Sequence, residues 1–453
     1  MSRGGPKYPE ESVMTQRILI VTDVYPPLIG GVELQMQLLG KKLQQRGHTV
    51  AVATAWQVGM PERENDGGIS IYRLKGLASR VSWFSGDSKR RHHPPLPDPG
   101  TVWGLRRLIH RYQPDVVHAY GWITYSCAVA LLGKHIPMLL SVREYGYTCA
   151  LRTMMRYGRE LCQGPAAVKC LDCAASAYGT PKGLAAAIGV WGGRYLLRWK
   201  TSGIHSVSTY MQRIIRRDLF GVQDEVLMKN GKLLPDVVIP SFRDDAGEPA
   251  PPAATDLQAY LDQLPSEPYI LFVGALRLVK GIEPLLRAYR QLVSPPPLVL
   301  IGVPAGDRLP PFPPGVTMLP NVPHRAVMAA WERALFGVAP SIWPEPFGSV
   351  IHEAMSKGKA VISTSLGGQT DMIVEGITGL FVSPDDTATL ANAMQLLIDN
   401  VELRRRLGLA GQERARLFTA PVIVPRFEQL YQQLTDDGDG QRGESHPSQM
   451  GPY

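Results

Sequence analysis

Two α/β domains, each built on a parallel sheet, are what the sequence predicts, and three observations lead there. The chain has 453 residues, and single cores rarely grow past about 250–300 residues. Short apolar runs alternate with stretches of helical spacing, first over Arg17–Thr22, Thr49–Thr54 and Asp115–Tyr120, then over Tyr269–Gly274, Leu298–Gly302 and Phe336–Ala339. That alternation gives a parallel sheet with crossover helices, twice over. Between the two series lies Asp244–Thr255, dense in Pro, Ala and acidic residues, which reads as a linker.

Composition narrows the class. An apolar content of 44% is ordinary for a globular chain. No apolar run reaches the roughly 18 residues that span a bilayer; Cys127–Val142 comes nearest and is broken by Lys134, His135 and Pro137. The polar, Pro/Gly-rich start does not resemble a secretory signal, so the cytoplasm is the expected compartment. The net charge of +8 is uneven: residues 1–237 hold 31 Lys+Arg against 17 Asp+Glu (+14), and the remainder 17 against 23 (−6). Such a basic half suits an anionic partner, a membrane surface, a lipid phosphate or a nucleic acid, and admits a peripheral place at the inner face of the membrane. No nucleic-acid reading module is present, so nucleic acid is not an expected partner.

Taken in order, residues 1–14 read as a disordered leader. The strand Arg17–Thr22 runs into Asp23–Glu33, whose Gly30-Gly31 turn precedes a helix with Val32, Met36, Leu39 and Leu43 at helical spacing. A strand, glycine turn and helix in that order suit phosphate, and the absence of G-x-G-x-x-G counts against NAD. The segment Gly76–Gly100 has no core periodicity. Its Leu77, Val81, Trp83 and Phe84, followed by Lys89-Arg90-Arg91, suit an interfacial segment or a solvated loop. His118 ends the strand Asp115–Tyr120, where doubly wound folds place ligands. After the strand Met138–Val142 and Arg143-Glu144-Tyr145 come four clustered cysteines, Cys149, Cys162, Cys170 and Cys173. They admit a structural zinc or iron site, buried free thiols or a reversible disulfide. Ile204–Ser208 reads as a strand, Tyr210–Phe220 as an Arg-rich helix and Asp236–Pro240 as a crossover strand.

In the second half, Gly274 ends a strand and Arg277, Lys280 and Gly281 lead into a helix over Ile282–Leu292. The densest stretch is Pro344–Gly368. Glu345 sits on a Pro-bounded turn, and Phe347-Gly348-Ser349 starts a helix with Ser349 as N-cap. Val350, Ile351, Ala354 and Met355 form that helix's apolar stripe, and Gly358 is its C′ residue. The strand Ala360–Thr364 and a Gly367-Gly368 turn follow. A helix start with bare N–H groups, flanked by Glu345 and Glu353, suits phosphate oxygens and sugar hydroxyls.

The pattern EPFG…EAM…GK.VI…GG, with Glu345 and Glu353 eight positions apart, resembles the signature of the retaining glycosyltransferase family 4, and the likeness runs from about Ile18 to Leu434. The resemblance implies the GT-B fold, two Rossmann-like parallel-sheet domains facing across a cleft. An acceptor domain would span 15–237 and a donor domain 238–418. A helix over about 419–436 would cross back to the first domain, leaving tails 1–14 and 437–453 disordered. It implies hexosyl transfer from a UDP- or GDP-linked sugar to a hydroxyl acceptor, lipid-linked or cell-envelope glycans among the candidates, with no cofactor required for catalysis.

By the same likeness Gly30, Gly31 and Gly274 lie beside the donor, Lys280 holds its diphosphate, and the N–H groups around Phe347, Gly348, Ser349 and Val350 help. The family's arginine position holds Ala275, and Arg277 would reach the same oxygens. Glu345 would contact the donor sugar, Glu353 the ribose, and His118 the sugar or incoming hydroxyl; Tyr120 departs from the family's His or Asp. No carboxylate stands out as a nucleophile, which favours front-face attack. The rivals are a sugar-nucleotide epimerase or phosphorylase on the same fold, and a non-catalytic binder of sugar nucleotide or anionic lipid.

Overall fold

The computed structural model describes residues 14–27, 31–77, 93–244, 255–304 and 306–439. Gly30, the Val81–Arg91 part of the expected interfacial segment and most of the linker lie outside them. The first sheet contains β1 (Arg17–Thr22), β2 (Thr49–Ala55), β3 (Arg63–Asp66), β4 (Ile69–Leu74), β5 (Val116–Tyr120), β6 (Met138–Val142), β7 (Gly203–Ser206) and β8 (Asp236–Val238). Its order is β8-β7-β6-β5-β1-β2-β4-β3, parallel throughout except where β3 folds back on β4. The second sheet is wholly parallel, with β9 (Tyr269–Val273), β10 (Leu298–Ile301), β11 (Val316–Leu319), β12 (Ala334–Ala339), β13 (Ala360–Thr364) and β14 (Leu380–Val382). Its order, β11-β10-β9-β12-β13-β14, reverses between β9 and β12 as the first reverses between β1 and β5. Ligand crevices open at such reversals, beyond the carboxyl ends of the strands.

The apolar runs form central strands because both faces are covered: every residue of β5, β6 and β13 is buried. The carboxyl ends of the two sheets meet. The Tyr145 hydroxyl, just after β6, donates to the Pro344 carbonyl beyond β12 (2.7 Å), and Ser208, just after β7, donates to the Pro346 carbonyl (2.7 Å). One hydrophobic cluster runs through both domains, holding Tyr145 and Met211 of the first with Phe347, Ile351 and Phe418 of the second.

The last helix, Ala420–Asp439, returns to the first domain as expected and ends three residues later than the sequence suggests. Ile423, Phe427, Leu430 and Tyr431 pack among Ile18, Met36, Val116 and Leu139. Glu428 accepts from Arg46 Nε (2.6 Å) and pairs with His48 Nε2 (3.1 Å).

Three further expectations change. The segment Gly76–Gly100 ends in structure, because Asp98 Oδ1 accepts from Thr101 N (2.8 Å) and caps a helix over Pro99–Tyr112. The helix after β12 is capped by Gly348, left-handed at φ 88°, so Ser349 is its first residue and not its cap. The stretch between β6 and β7 holds two long helices, Ala167–Tyr178 and Thr180–Lys200, which apolar periodicity does not announce. Among the described residues no helix is long and apolar enough to cross a membrane.

Candidate active site

The half of the candidate site in the second domain is assembled by backbone turns. A single 3₁₀ turn, Leu278–Lys280, follows β9 and is ended by Gly281 at φ 77°. A Cβ on Gly281 would lie 1.9 Å from the Pro340 carbonyl oxygen, so only glycine lets this turn pass beneath the end of β12. Lys280 is thereby placed with Nζ 2.6 Å from Glu345 Oε1 and 5.1 Å from the centre of the Trp343 ring. Ser341 Oγ donates to the same carboxylate oxygen (2.7 Å). Gly367 (φ 86°) pairs with Glu345 through a backbone bridge, and Gly368 N donates to the Glu345 carbonyl (2.6 Å). Glu345 is thus fixed by backbone on one side and by Lys280 and Ser341 on the other, directly before the helix Ser349–Ser356.

The remaining candidates on this side divide. Gly348 and Ser349 form the helix start itself, Val350 follows within its first turn, and Phe347 is buried against Phe418 with ring centres 6.0 Å apart. Gly274 sits at the end of β9, its N–H bonded to the Ile301 carbonyl (2.9 Å). Arg277 takes Asp307 as its ion-pair partner (3.7 Å) and not Glu345. Glu353 is buried on the helix's inner side. Its Oε1 meets His324 Nε2 (2.9 Å) and Arg243 Nη1 (3.1 Å), and Trp331 Nε1 donates to Oε2 (3.5 Å). Burial opposes its charge, but His324 and Arg243 outweigh burial and hold the carboxyl below the usual range.

On the other side the structure corrects the sequence. His118 does not end its strand: it lies in the middle of β5 and is completely buried. Its Nδ1 meets the Tyr431 hydroxyl (2.7 Å), and its ring packs between His205 and Phe427 beneath the returning helix. Burial, then Arg143, pulls its pKa down to about 3. A side chain enclosed there cannot touch a sugar in the crevice, so His118 is a core residue. Gly31 opens the helix Gly31–Gln45, while Gly30 is outside the described residues.

The groups at the strand ends are ones the sequence reading passed over. Asp23, directly after β1, accepts from Trp122 N (3.0 Å) and Ile123 N (2.7 Å). Its Oδ2 is 3.9 Å from Arg152 Nη1, and Arg152 bonds Glu144 and lies 5.2 Å from the Trp122 ring centre. Burial pushes the Asp23 pKa up to about 6 against the pull of Arg152. Arg143, just beyond β6, is buried; its Nη1 donates to Ser241 Oγ (3.0 Å), and its Nε and Nη2 have no partner among the described residues. Position was the available signal: each of these follows the last residue of a central strand by one or two places, or contacts one that does.

The four cysteines line one small pocket, so the structure brings them together. Among the described residues no three His, Cys, Asp or Glu are arranged to hold an ion. Cys170 Sγ accepts from Ala166 N (3.3 Å), Cys173 Sγ from Tyr157 N (3.5 Å), and Cys162 faces the Gly164 carbonyl (3.4 Å). Burial raises the Cys149 and Cys170 thiols, with the neighbouring cysteines adding to the rise.

Family models match both halves of the chain. Residues 261–414 match the family model for glycosyl transferases group 1, and residues 30–231 match that of a glycosyl transferase 4-like domain. The chain belongs to the group 1 glycosyl transferases. It is 29% identical over 176 residues to D-inositol 3-phosphate glycosyltransferase of Corynebacterium diphtheriae, covering 35% of this chain and 41% of that one. The match therefore spans about two-fifths of that relative's length. Among solved structures, sucrose-phosphate synthase from Thermosynechococcus elongatus superposes with a TM-score of 0.68 at 21% identity, over 93% of this chain and all of that one (100%). Anabaena HepE in complex with UDP-glucose gives 0.61 at 16% identity, over 93% and 100%. These likenesses establish the GT-B fold of this member of the group.

Proposed function

We propose that the protein transfers a hexosyl group from a nucleoside-diphosphate sugar to a hydroxyl acceptor, retaining the anomeric configuration. The observation that carries the proposal is Lys280, held 2.6 Å from Glu345 by a glycine-ended turn beside the start of the helix Ser349–Ser356. A cation and free helix N–H groups facing one crevice stabilise charge as it develops on a departing diphosphate. The acceptor oxygen bonds to the anomeric carbon as the carbon–phosphate oxygen bond breaks on the same face. The acceptor proton passes to a diphosphate oxygen, so no enzyme carboxylate is needed as nucleophile. Glu345, oriented by Ser341 and Lys280, accepts from sugar hydroxyls in this reading. Glu353 serves the ribose indirectly, by fixing Arg243 and His324 at the domain seam.

Family membership supports transfer, and the uridine nucleotide named with HepE makes UDP-sugars the first donors to try. The +14 charge of residues 1–237 supports an acceptor presented at an anionic surface, with the enzyme peripheral to it. A donor screen tests the reaction: nucleoside diphosphate release from several base and sugar combinations, with and without hydroxyl acceptors, followed by the anomeric configuration of the product. Acceptor-dependent release with retention is the expected result. Conversion of the sugar without any acceptor would move the protein to the epimerases, and binding without release from any donor would make it a non-catalytic binder.

A further inference from the structure

The helix Thr180–Lys200 is built inside out. Its buried residues are Gly183, Ala186, Ala187, Gly189, Val190 and Leu197. Its large side chains Leu184, Ile188, Trp191, Tyr195 and Trp199 point to solvent, each between 39% and 62% exposed. At 100° a residue these five fall within an arc of about 80° and along about 22 Å of helix. They form one stripe. Folding alone favours the opposite arrangement, with aromatic rings in the core and small or polar residues outside.

The inward face shows why it must be small. A Cβ on Gly193 would sit 2.2 Å from the Tyr125 ring, and one on Gly189 would sit 2.6 Å from the Pro95 carbonyl oxygen. The helix is pressed against the domain, and its bulk is left on the outside.

Charge says what covers the stripe. The helix contains Lys182, Arg194, Arg198 and Lys200 and no Asp or Glu. Arg194 lies over the Trp191 and Tyr195 rings (5.2 and 4.9 Å to their centres), and Arg198 over Tyr195 (6.0 Å). Guanidinium groups therefore border the aromatic row at Trp191 and Tyr195. Trp and Tyr settle at the level of lipid headgroups, and flanking arginines pair with anionic ones. The surface continues inward from the stripe into a pocket lined by Ile188, Trp191, Arg194, Val190 and Leu171, with Asp218 also in its wall.

We propose that this face of the helix Thr180–Lys200 is the seat of the protein on an anionic lipid bilayer, with the stripe lying in the headgroup layer parallel to the surface. It rests on the surface reading of the charged first domain and gives that reading a defined element, separate from the segment around Trp83–Arg91. The transfer chemistry is not needed for it.

The test is flotation of the full chain with phosphatidylglycerol/phosphatidylcholine vesicles and with phosphatidylcholine alone. It uses wild type, Trp191→Ser/Tyr195→Ser/Trp199→Ser, Arg194→Gln/Arg198→Gln and, as control, Trp103→Ser, which removes an exposed tryptophan from another helix. Wild type and the control should float with the anionic vesicles. The aromatic triple variant should lose at least about tenfold in partitioning, and the arginine pair should lose most of the preference for anionic lipid. Circular dichroism and UDP binding check that the variants remain folded. Wild type that floats while the triple variant floats equally well overturns the helix and leaves the charged-surface reading standing; wild type that binds neither vesicle overturns both. Sedimentation showing a wild-type dimer that the triple variant abolishes, with no vesicle binding, assigns the stripe to a second copy and overturns the proposal.

Discussion

The two halves of the crevice solve the same problem by different means. In the second domain, Lys280, Glu345 and the start of the helix Ser349–Ser356 are placed by backbone turns whose glycines have positive φ or no room for a Cβ. In the first domain, Asp23, Glu144 and Arg152 are placed by one another, through ion pairs and through bonds to the helix start at Trp122 and Ile123. A site fixed by turns leaves a written pattern, because particular residues are required at particular spacings. A site fixed by mutual pairing leaves none, because any set of partners of opposite charge and fitting length serves.

Substitutions that strike one half and not the other sharpen that contrast. Lys280→Ala should lower turnover about a hundredfold or more, since it removes a preformed charge from the departing diphosphate. Steady-state nucleotide release measures this, and turnover within a few-fold of wild type would remove Lys280 from the chemistry. His118→Asn should be far milder for turnover, within about threefold, while lowering stability by about 1–3 kcal/mol through the lost bond to Tyr431. Denaturant unfolding beside a rate measurement separates the two effects. A large rate loss in a fully stable variant would return His118 to the crevice.

Acidity should distinguish the halves more gently. Burial pulls His118 down to about 3 and His93 to about 4, both in the first domain, and His352 in the second to about 4. The folded chain keeps these rings neutral while the unfolded chain takes up protons below the ordinary imidazole value of 6.5. Stability is therefore lost as pH falls from about 6.5 toward 4. Asp23 works the other way: its folded pKa is raised from 3.8 to about 6, so its contribution is lost as pH rises through that value. With His205, which burial also lowers, four histidines outweigh the two raised carboxyls Asp23 and Glu144, and the denaturant midpoint should be lower at pH 5 than at pH 7. His118→Asn should shrink the difference. A midpoint that increases on acidification would mean that Asp23 dominates.

What the sequence made legible follows the same division. The two parallel sheets and the Gly358 helix end came from alternation and turn residues, which report local backbone demands, whereas the returning helix came from the family resemblance. The helix Thr180–Lys200 stayed hidden because its inner face is mostly Gly and Ala and its outer face aromatic, which inverts the pattern that periodicity detects, and Ala167–Tyr178 because it buries only Ala174. His118 was misplaced for a related reason. A histidine on a strand of a doubly wound sheet reads as a ligand-facing group, and only the packing of Phe427 and Tyr431, some 310 residues on, shows that a helix covers it. The cysteines were read from count and spacing, whereas the direction of each sulfur depends on a loop that spacing does not determine.

The division of labour between the halves is tested most directly by calorimetric titration of UDP alone into wild type, Lys280→Ala and Asp23→Asn. The diphosphate should be held by the turn-built half. Lys280→Ala should weaken UDP binding by about tenfold or more, and Asp23→Asn should leave it within about twofold of wild type. Unchanged affinity in Lys280→Ala together with a large loss in Asp23→Asn would contradict the assignment of the donor to the second domain.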